Sequence, residues 1–261
     1  MLKLAAVYLL MMTSFLQSKC IASEMIQIPS GKIAAFWQSP VNAKEKNKKG
    51  VKKIAVNSFK MMKYPVTNAE YESFIRKNSQ WDKKNVSGLY ADESYLEMMS
   101  DKEIISRAPV TSVSWFAARA FCQSLGMRLP NVVEWEYVAA ASELERDANK
   151  DEKFLKRILE WYGEPRTGSL KKVGSIYKNL YGVWDLHGLI WEWVEDFNTS
   201  FVTGESREDS SFNKDMFCGA GALSGADKEN YAAFMRFAFR SGLSGKSAVW
   251  NLGFRCVEDD K

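Results

Sequence analysis

The chain has 261 residues, of which 46% are hydrophobic and 26% are charged, and its formal net charge is +4. This ordinary globular composition excludes a disordered, collagen-like or fibrous protein. A polytopic membrane protein is excluded as well, because the sequence has only one apolar run that could be considered as a membrane span. The only histidine is His187, so iron, zinc or copper sites that need two or three imidazoles are excluded as well. The length favours one domain, or two small ones.

The first 22 residues have the pattern of a secretory signal peptide. Lys3 gives a short basic segment, residues 4–16 are apolar, and Ala22 ends a cleavage site of small residues. The apolar run is shorter than the roughly 20 residues that span a bilayer, so we expect no transmembrane anchor and a periplasmic or secreted protein. Lipidation at Cys20 is the alternative, although Lys19 stands where a lipobox has a small residue.

The mature chain, residues 23–261, is nearly neutral. Without Lys3 and Lys19, the 36 basic residues fall to 34 against 32 acidic ones. Nucleic-acid-binding domains are strongly basic, so we expect no nucleic acid partner. Six lysines in residues 44–53 indicate a solvated loop, with a basic docking patch as the alternative.

Local patterns predict the elements of the first half. Residues 25–29 alternate apolar and polar side chains and predict a strand with a hairpin turn, and residues 53–59 predict a second strand. Thr67 followed by Glu70 is the pattern of a helix start. Residues 81–107 are polar and irregular, which indicates an inserted loop.

Three further helices are predicted, over residues 114–125, 131–140 and 147–161. Ser114 is a suitable N-cap for the first, and Gly126 ends it. Asn131 and Glu134 have the spacing of a capping box for the second, and the third is amphipathic and charged. After residue 165 long periodic runs are few, so packing and loops are expected to hold that half. We find no repeat or linker, which favours one mature domain.

Several segments together resemble the formylglycine-generating enzyme, or sulfatase-modifying-factor, family. They occur in the family's order and cover nearly all of the mature chain: KYPVTNAEY (63–71), PVTSVSW (109–115), RLPNVVEWEY (128–137), YGVWDLHGLIWEW (181–193) and NLGFRC (251–256). The resemblance implies an α+β fold, a single compact irregular domain with a C-type-lectin-like core and low regular secondary structure.

The resemblance also implies a structural calcium ion. Its ligands would be Asp185, Gly188, Ile190 and Glu192, which offer two carboxylates and two backbone carbonyls within eight residues. Hard oxygen donors of this kind suit calcium, and ordinary hydrogen bonding of the same groups is the alternative. His187, inside this segment, is interpreted as a structural hydrogen-bonding residue.

The mature chain has three cysteines, and no pair has the Cys-x-x-Cys spacing of a redox motif or a zinc ribbon. The resemblance implies a disulfide between Cys122 and Cys256. Cys218 would then be the spare thiol, interpreted as a small apolar side chain under a glycine turn.

Two aromatic-rich blocks carry carboxylates that need partners. Glu134, Glu136 and Glu192 each stand beside tryptophans, and a carboxylate at buried aromatic surface is costly unless it is paired. We predict buried salt bridges that tie loops together. The candidate partners are Arg128, Arg240 and Arg255.

The chain departs from the family at the copper site. The two copper-binding cysteine positions fall on Ala232 and Phe237, and neither side chain can bind copper(I) as a thiolate. Activation of sulfatases by the copper-dithiolate mechanism is therefore not expected, and a single histidine excludes the three-histidine iron chemistry of related sulfoxide synthases. What remains is the exported, PvdO-like or NirV-like branch of the family, in which the use of a redox metal stays open.

These observations favour an exported accessory or maturation factor that acts on a peptide or protein substrate, with oxidative tailoring as the candidate chemistry. The alternatives are a non-catalytic, lectin-like binding module and, more weakly, a lipoprotein scaffold. The substrate groove would be lined by residues 218–241, where arginines could clamp a carboxylate or a peptide carbonyl. The catalytic candidates are Tyr231, Arg236, Arg240 and Ser241, and the substrate-binding candidates are Cys218, Phe234 and Phe237.

Overall fold

The computed structural model describes residues 24–34, 53–100, 106–164, 170–198 and 228–260. The strands are β1 (Met25–Ile28), β2 (Gly31–Ala34), β3 (Lys53–Val56), β4 (Phe59–Met62), β5 (Trp191–Glu192), β6 (Leu252–Gly253) and β7 (Val257–Asp259). The helices are α1 (Asn68–Lys77), α2 (Trp115–Ser124), α3 (Val132–Ala139), α4 (Glu152–Gly163) and α5 (Lys228–Ser241), with single 3-10 turns at Ser79–Trp81 and Met98–Ser100.

The fold is a mixed α/β domain with few and short regular elements, which confirms the expected architecture. Strands β1, β4 and β7 form an antiparallel sheet, β2 and β3 form an antiparallel pair, and β5 and β6 form a parallel pair. None of the helices that the structure describes is long and apolar enough to cross a membrane. The predicted signal peptide, Cys20, Cys218 and all of the lysine run except Lys53 lie outside the described residues.

The hairpin expected after residues 25–29 is wrong. Ile28 pairs with Phe59 of β4, whereas Gly31 pairs with Val56 of β3. The turn between β1 and β2 therefore carries the chain from one sheet to another. β2 starts with a glycine, which has no Cβ. A Cβ on residue 31 would lie 2.2 Å from the Tyr137 hydroxyl oxygen, so the tyrosine would have to shift.

Side-chain caps explain why three helices begin where the sequence predicts. Thr67 with Glu70 and Asn131 with Glu134 form reciprocal capping boxes at α1 and α3, and the Ser114 side chain accepts a hydrogen bond at the start of α2. Helix α4 begins five residues later than predicted. Its cap is Asp151, whose carboxylate accepts from the backbone N–H groups of the first turn.

A disulfide and an aromatic cluster join the helices to the sheets. Cys122 of α2 is bonded to Cys256, with their Cα atoms 5.6 Å apart and 134 positions between them in the sequence, as the resemblance implied. Beside it, the rings of Tyr71, Phe121 and Phe254 pack with centroids 5.3–6.2 Å apart. This core holds α1 and α2 against the segment that precedes β7.

Candidate functional site

Helix α5, which sequence patterns did not predict, carries most of the substrate-site candidates. Arg236, Phe237 and Arg240 are buried, while Tyr231 is 41% exposed and Ser241 is exposed. The Ser241 hydroxyl donates to the Ala238 carbonyl of its own helix. The structure thus brings Arg236 and Arg240 together on the buried side of α5, whereas Tyr231 and Ser241 are exposed, so the four catalytic candidates do not form one site. Cys218 and the Phe234 side chain lie outside the described residues.

The two arginines of α5 share one carboxylate on α3. Arg236 Nε and Nη2 donate to the Glu136 oxygens at 2.6–3.1 Å, and Arg240 Nη1 donates to Glu136 Oε1 at 3.2 Å. All three side chains are buried. We call these three residues the Glu136 cluster. It joins α3 to α5 through side chains that are 100 residues apart in the sequence.

The two arginines of the cluster differ in how fully their donors are used. Arg236 Nη1 also donates to the Tyr162 hydroxyl at 3.1 Å and to the Ala232 carbonyl at 3.2 Å. Burial lowers the pKa of Arg236, but Glu136 and Tyr162 more than offset it and the net shift is upward. For Arg240 burial prevails over the attraction of Glu136, so its pKa is lowered.

A partly exposed set of stacked aromatic rings lies beside the cluster. Trp191 of β5 stacks on Tyr162 of α4 at 4.9 Å and on Phe239 of α5 at 4.5 Å between centroids, and Trp161 packs on Trp191 at 5.4 Å. Tyr162, Trp191 and Phe239 are each only partly buried. We call these four residues the aromatic wall. It is a partly buried apolar stack, and its Tyr162 hydroxyl accepts a hydrogen bond from the buried Arg236 guanidinium.

Trp135 connects the Glu136 cluster to a second buried ion pair. Its ring lies 4.7 Å from the Arg240 guanidinium carbon, and its indole N–H donates to Glu192 Oε2 at 2.8 Å. Arg255 donates to both Glu192 oxygens at 2.7–2.8 Å. The cation–π contact fixes the orientation of Arg240 relative to Trp135, and the buried ion pair fixes that of Arg255 relative to Glu192.

Two of the predicted buried salt bridges are confirmed, because Arg240 binds Glu136 and Arg255 binds Glu192 in the interior. Arg128 binds Glu134 as well, but that pair is partly exposed. Arg236, a catalytic candidate in the sequence, is the main partner of Glu136 in the structure. The sequence did not indicate this ion pair. It also missed the aromatic wall, because no local pattern links Tyr162, Trp191 and Phe239.

The comparisons with known proteins decide the family. The family model described as "Sulfatase-modifying factor enzyme 1-like domain" matches residues 13–260. The chain belongs to this family. Its relatives include the formylglycine-generating enzyme of Bos taurus, 25% identical over 91% of this chain and 75% of that protein. They also include the inactive C-alpha-formylglycine-generating enzyme 2 of Bos taurus, 27% identical over 89% of this chain and 87% of that protein.

Among solved structures, the structure of this chain is similar to that of PvdO from Pseudomonas aeruginosa. The TM-score is 0.46 and the sequence identity is 15%, over 90% of this chain and 94% of that one.

Ala232 and Phe237, where the resemblance implies that relatives have copper-binding cysteines, are both buried in this chain. Ala232 belongs to a buried apolar cluster with Phe154, Leu155 and Ile158 of α4, and Phe237 is buried as well. These two side chains hold α5 against the domain.

Both carboxylates expected to bind calcium are engaged by other protein groups in this structure, which is the arrangement expected from ordinary hydrogen bonding. Both Asp185 oxygens accept backbone N–H groups, one from Gly174 and one from Ile176, and burial raises the pKa of this carboxyl. Both Glu192 oxygens are taken by Arg255 and Trp135. In the described part of the chain, no three His, Cys, Asp or Glu side chains are placed to share a metal ion.

We therefore expect calcium chloride or EDTA to leave the melting temperature of the purified chain unchanged. A site saturated at about 100 times its Kd would stabilise the fold by about 2.7 kcal/mol, or about 5–10 °C. Differential scanning fluorimetry with calcium, magnesium and EDTA measures this directly. A rise of that size with calcium and not with magnesium would show that the ion displaces the present hydrogen bonds.

His187 has the structural role that we expected. Its Nε2 lies 3.1 Å from the Ala139 carbonyl oxygen, which can only accept, so the proton sits on Nε2. Burial lowers its pKa. Within the described residues, His187 Nδ1 and the Tyr177 hydroxyl have no hydrogen-bond partner, and both rings pack edge-on against Phe154.

Two Tyr→Phe substitutions test whether the buried Tyr177 hydroxyl has no hydrogen-bond partner. Tyr177→Phe is expected to leave the free energy of unfolding unchanged or to raise it, because an unpartnered buried hydroxyl costs about 1–3 kcal/mol. Tyr71→Phe is the matched control: its hydroxyl is 2.7 Å from that of Tyr95, so its removal is expected to cost about 1 kcal/mol. Urea unfolding of both variants measures the difference, and an equal loss in the two would contradict the assignment.

Proposed function

We propose that this chain is an exported accessory or maturation factor that binds a peptide or protein segment on the aromatic wall beside α5. The aromatic wall carries this proposal. It combines partly exposed rings from α4, β5 and α5 with a rigid buried foundation, and rings of this kind dominate the energetics of peptide and protein recognition.

The geometry favours a binding function over catalysis by the four candidate residues of α5. Arg236 is buried and held by Glu136 and Tyr162, whereas Tyr231 and Ser241 are exposed and the Ser241 hydroxyl donates to its own helix. The described contacts therefore join these side chains in no acid–base or nucleophilic pair. A non-catalytic binding module, which the sequence analysis kept as an alternative, is therefore the form that the site supports best. One relative with extensive coverage is itself named an inactive formylglycine-generating enzyme.

A selection from random linear peptides tests the proposal. The purified chain is immobilised, bound peptides are sequenced, and their Kd values are measured by fluorescence anisotropy. Phe239→Ala is expected to weaken binding about tenfold or more, as for an interface hot spot. The matched control is Tyr90→Ala, which removes a 47% exposed ring that packs against Trp81 and Phe116 and is not part of the aromatic wall.

Equal binding by the two variants would contradict the proposal. Mass spectrometry of the peptide after incubation then separates the two classes of function. An unchanged mass supports a binding module, and loss or gain of atoms on the peptide would establish an enzyme.

A further inference from the structure

Basic residues from three distant parts of the sequence lie on adjoining backbone segments. The backbone N–H of Val173 donates to the Arg107 carbonyl at 2.9 Å, and that of Trp184 donates to the Lys63 carbonyl at 2.9 Å. Lys178 forms an antiparallel bridge with Trp184. Five basic residues, which we call the basic face, lie on these segments: Lys63, Arg107, Lys171, Lys172 and Lys178. All of them except Lys63 are exposed, and the Lys63 side chain is partly so.

Tyr64 joins these pairings into one surface. A Cβ on Gly174 would lie 3.0 Å from the Tyr64 ring, so the segment that carries Lys171 and Lys172 packs directly on this tyrosine. The Trp184 ring lies 6.3 Å from the Tyr64 ring between centroids. Both rings are only partly buried, so the basic face also presents two aromatic side chains.

The carboxylates beside this face neutralise little of its charge. The segments that form it contain six basic and no acidic residues: 59–66, 106–113 and 170–184. Lys60 pairs with Glu258 at 3.6 Å, and Lys63 pairs with Glu24 at 2.8 Å. Among the described residues, no ion pair involves the other four basic side chains. The excess is local, because the whole chain has 36 basic and 32 acidic residues.

The chain enters the domain at this face. The backbone N–H of Lys63 donates to the Glu24 carbonyl at 2.8 Å, and Glu24 comes eight residues after the apolar run that predicts a signal peptide. Eight extended residues span at most about 29 Å. Export through such a segment would therefore hold the basic face within about that distance of the membrane.

We propose that the basic face binds an anionic phospholipid surface. Lysine and arginine side chains near such a surface are attracted by its headgroups, and tyrosine and tryptophan occupy the same level because each has an apolar body and a polar edge. An acidic protein would be attracted by the charge as well, but the position of the face beside the apolar run favours the membrane. This inference is independent of peptide binding, since none of these residues belongs to the aromatic wall.

Vesicle sedimentation with the purified full chain tests the proposal. One set of vesicles is phosphatidylcholine, and the other is an equal mixture of phosphatidylcholine and phosphatidylglycerol. The apolar run contributes to binding in both sets, so the difference between them measures the effect of the anionic lipid. We expect about tenfold or more tighter binding to the anionic vesicles, and about 0.5 M sodium chloride is expected to remove this difference, because salt screens exposed charges.

A double charge reversal locates the binding surface. Lys171→Glu together with Lys172→Glu is expected to weaken binding to the anionic vesicles about tenfold or more and to leave binding to the neutral vesicles unchanged. The matched control is Lys83→Glu together with Lys84→Glu, which reverses another pair of adjacent exposed lysines, in the loop that follows the first 3-10 turn. This control is expected to bind as wild type does.

Equal binding of wild type to the two sets of vesicles would overturn the inference. Equal losses in the two double variants would overturn it as well, since binding would then follow the net charge of the chain. Binding to soluble polyglutamate without a preference for anionic vesicles would replace the membrane with an acidic protein as the partner. The comparison within wild type needs no variant, so it holds even if a variant does not fold.

Discussion

Replacing Glu136 with glutamine is expected to lower the free energy of unfolding by about 3–5 kcal/mol. The change leaves Arg236 and Arg240 buried without the carboxylate that binds both of them. An uncharged amide of the same shape offers one acceptor and adds two donors that face other donors. The loss is measured by urea unfolding followed by circular dichroism, and the melting temperature is expected to fall by about 6–20 °C.

The matched control is Glu143→Gln, which removes the partner of Arg157 on the surface. That pair has a bidentate geometry too, but its side chains are 43% and 42% exposed. Exposed ion pairs contribute about 0–1 kcal/mol, so this variant is expected to be nearly as stable as wild type. Comparable losses in the two variants would show that the Glu136 cluster is not a buried structural centre.

Removal of the disulfide has the second large expected effect. Alanine at both Cys122 and Cys256 is expected to lower the free energy of unfolding by about 5 kcal/mol, because the bond closes a loop of 134 residues and so restricts the unfolded chain. Refolding the wild type with and without a reducing agent provides a second measurement of the same quantity. The reducing agent is expected to destabilise wild type and to leave the double variant unchanged.

A double variant as stable as wild type would contradict this account. So would an identical effect of the reducing agent on both proteins, because the effect would then come from something other than this bond.

Local hydrogen-bond signals explain which helices could be predicted. The caps at Thr67, Ser114 and Asn131 use side chains within three residues of the groups that they bind, so the sequence carries the whole interaction. Helix α5 starts directly after Asp227, a residue type that is common at helix starts, but its apolar period is hard to recognise. Arg236 and Arg240 are four residues apart and both lie on its buried side. Because these positions are arginines, the apolar period that normally reveals a helix is interrupted.

Long-range pairing explains what local patterns could not predict. The spacing of Asp185 and Glu192 is compatible with calcium, but their oxygens are occupied by groups that are distant in the sequence or follow from the fold, such as Arg255 and the Gly174 N–H. The turn after β1 likewise has the residues of a hairpin, and the partner strands decide that it is not one. Partners of buried charges could be predicted by type, since Arg255 and Arg240 were named for this role.

Hydrogen–deuterium exchange of the chain with and without a selected peptide tests the central claim, that ligand binding occurs on the aromatic wall beside α5. We predict that the peptide slows exchange in the last turn of α4, around Trp191 and in residues 236–243. The exposed loop at residues 82–90 is expected to exchange at the same rate in both states. Slower exchange in that loop, with no change around Trp191 and α5, would contradict the account.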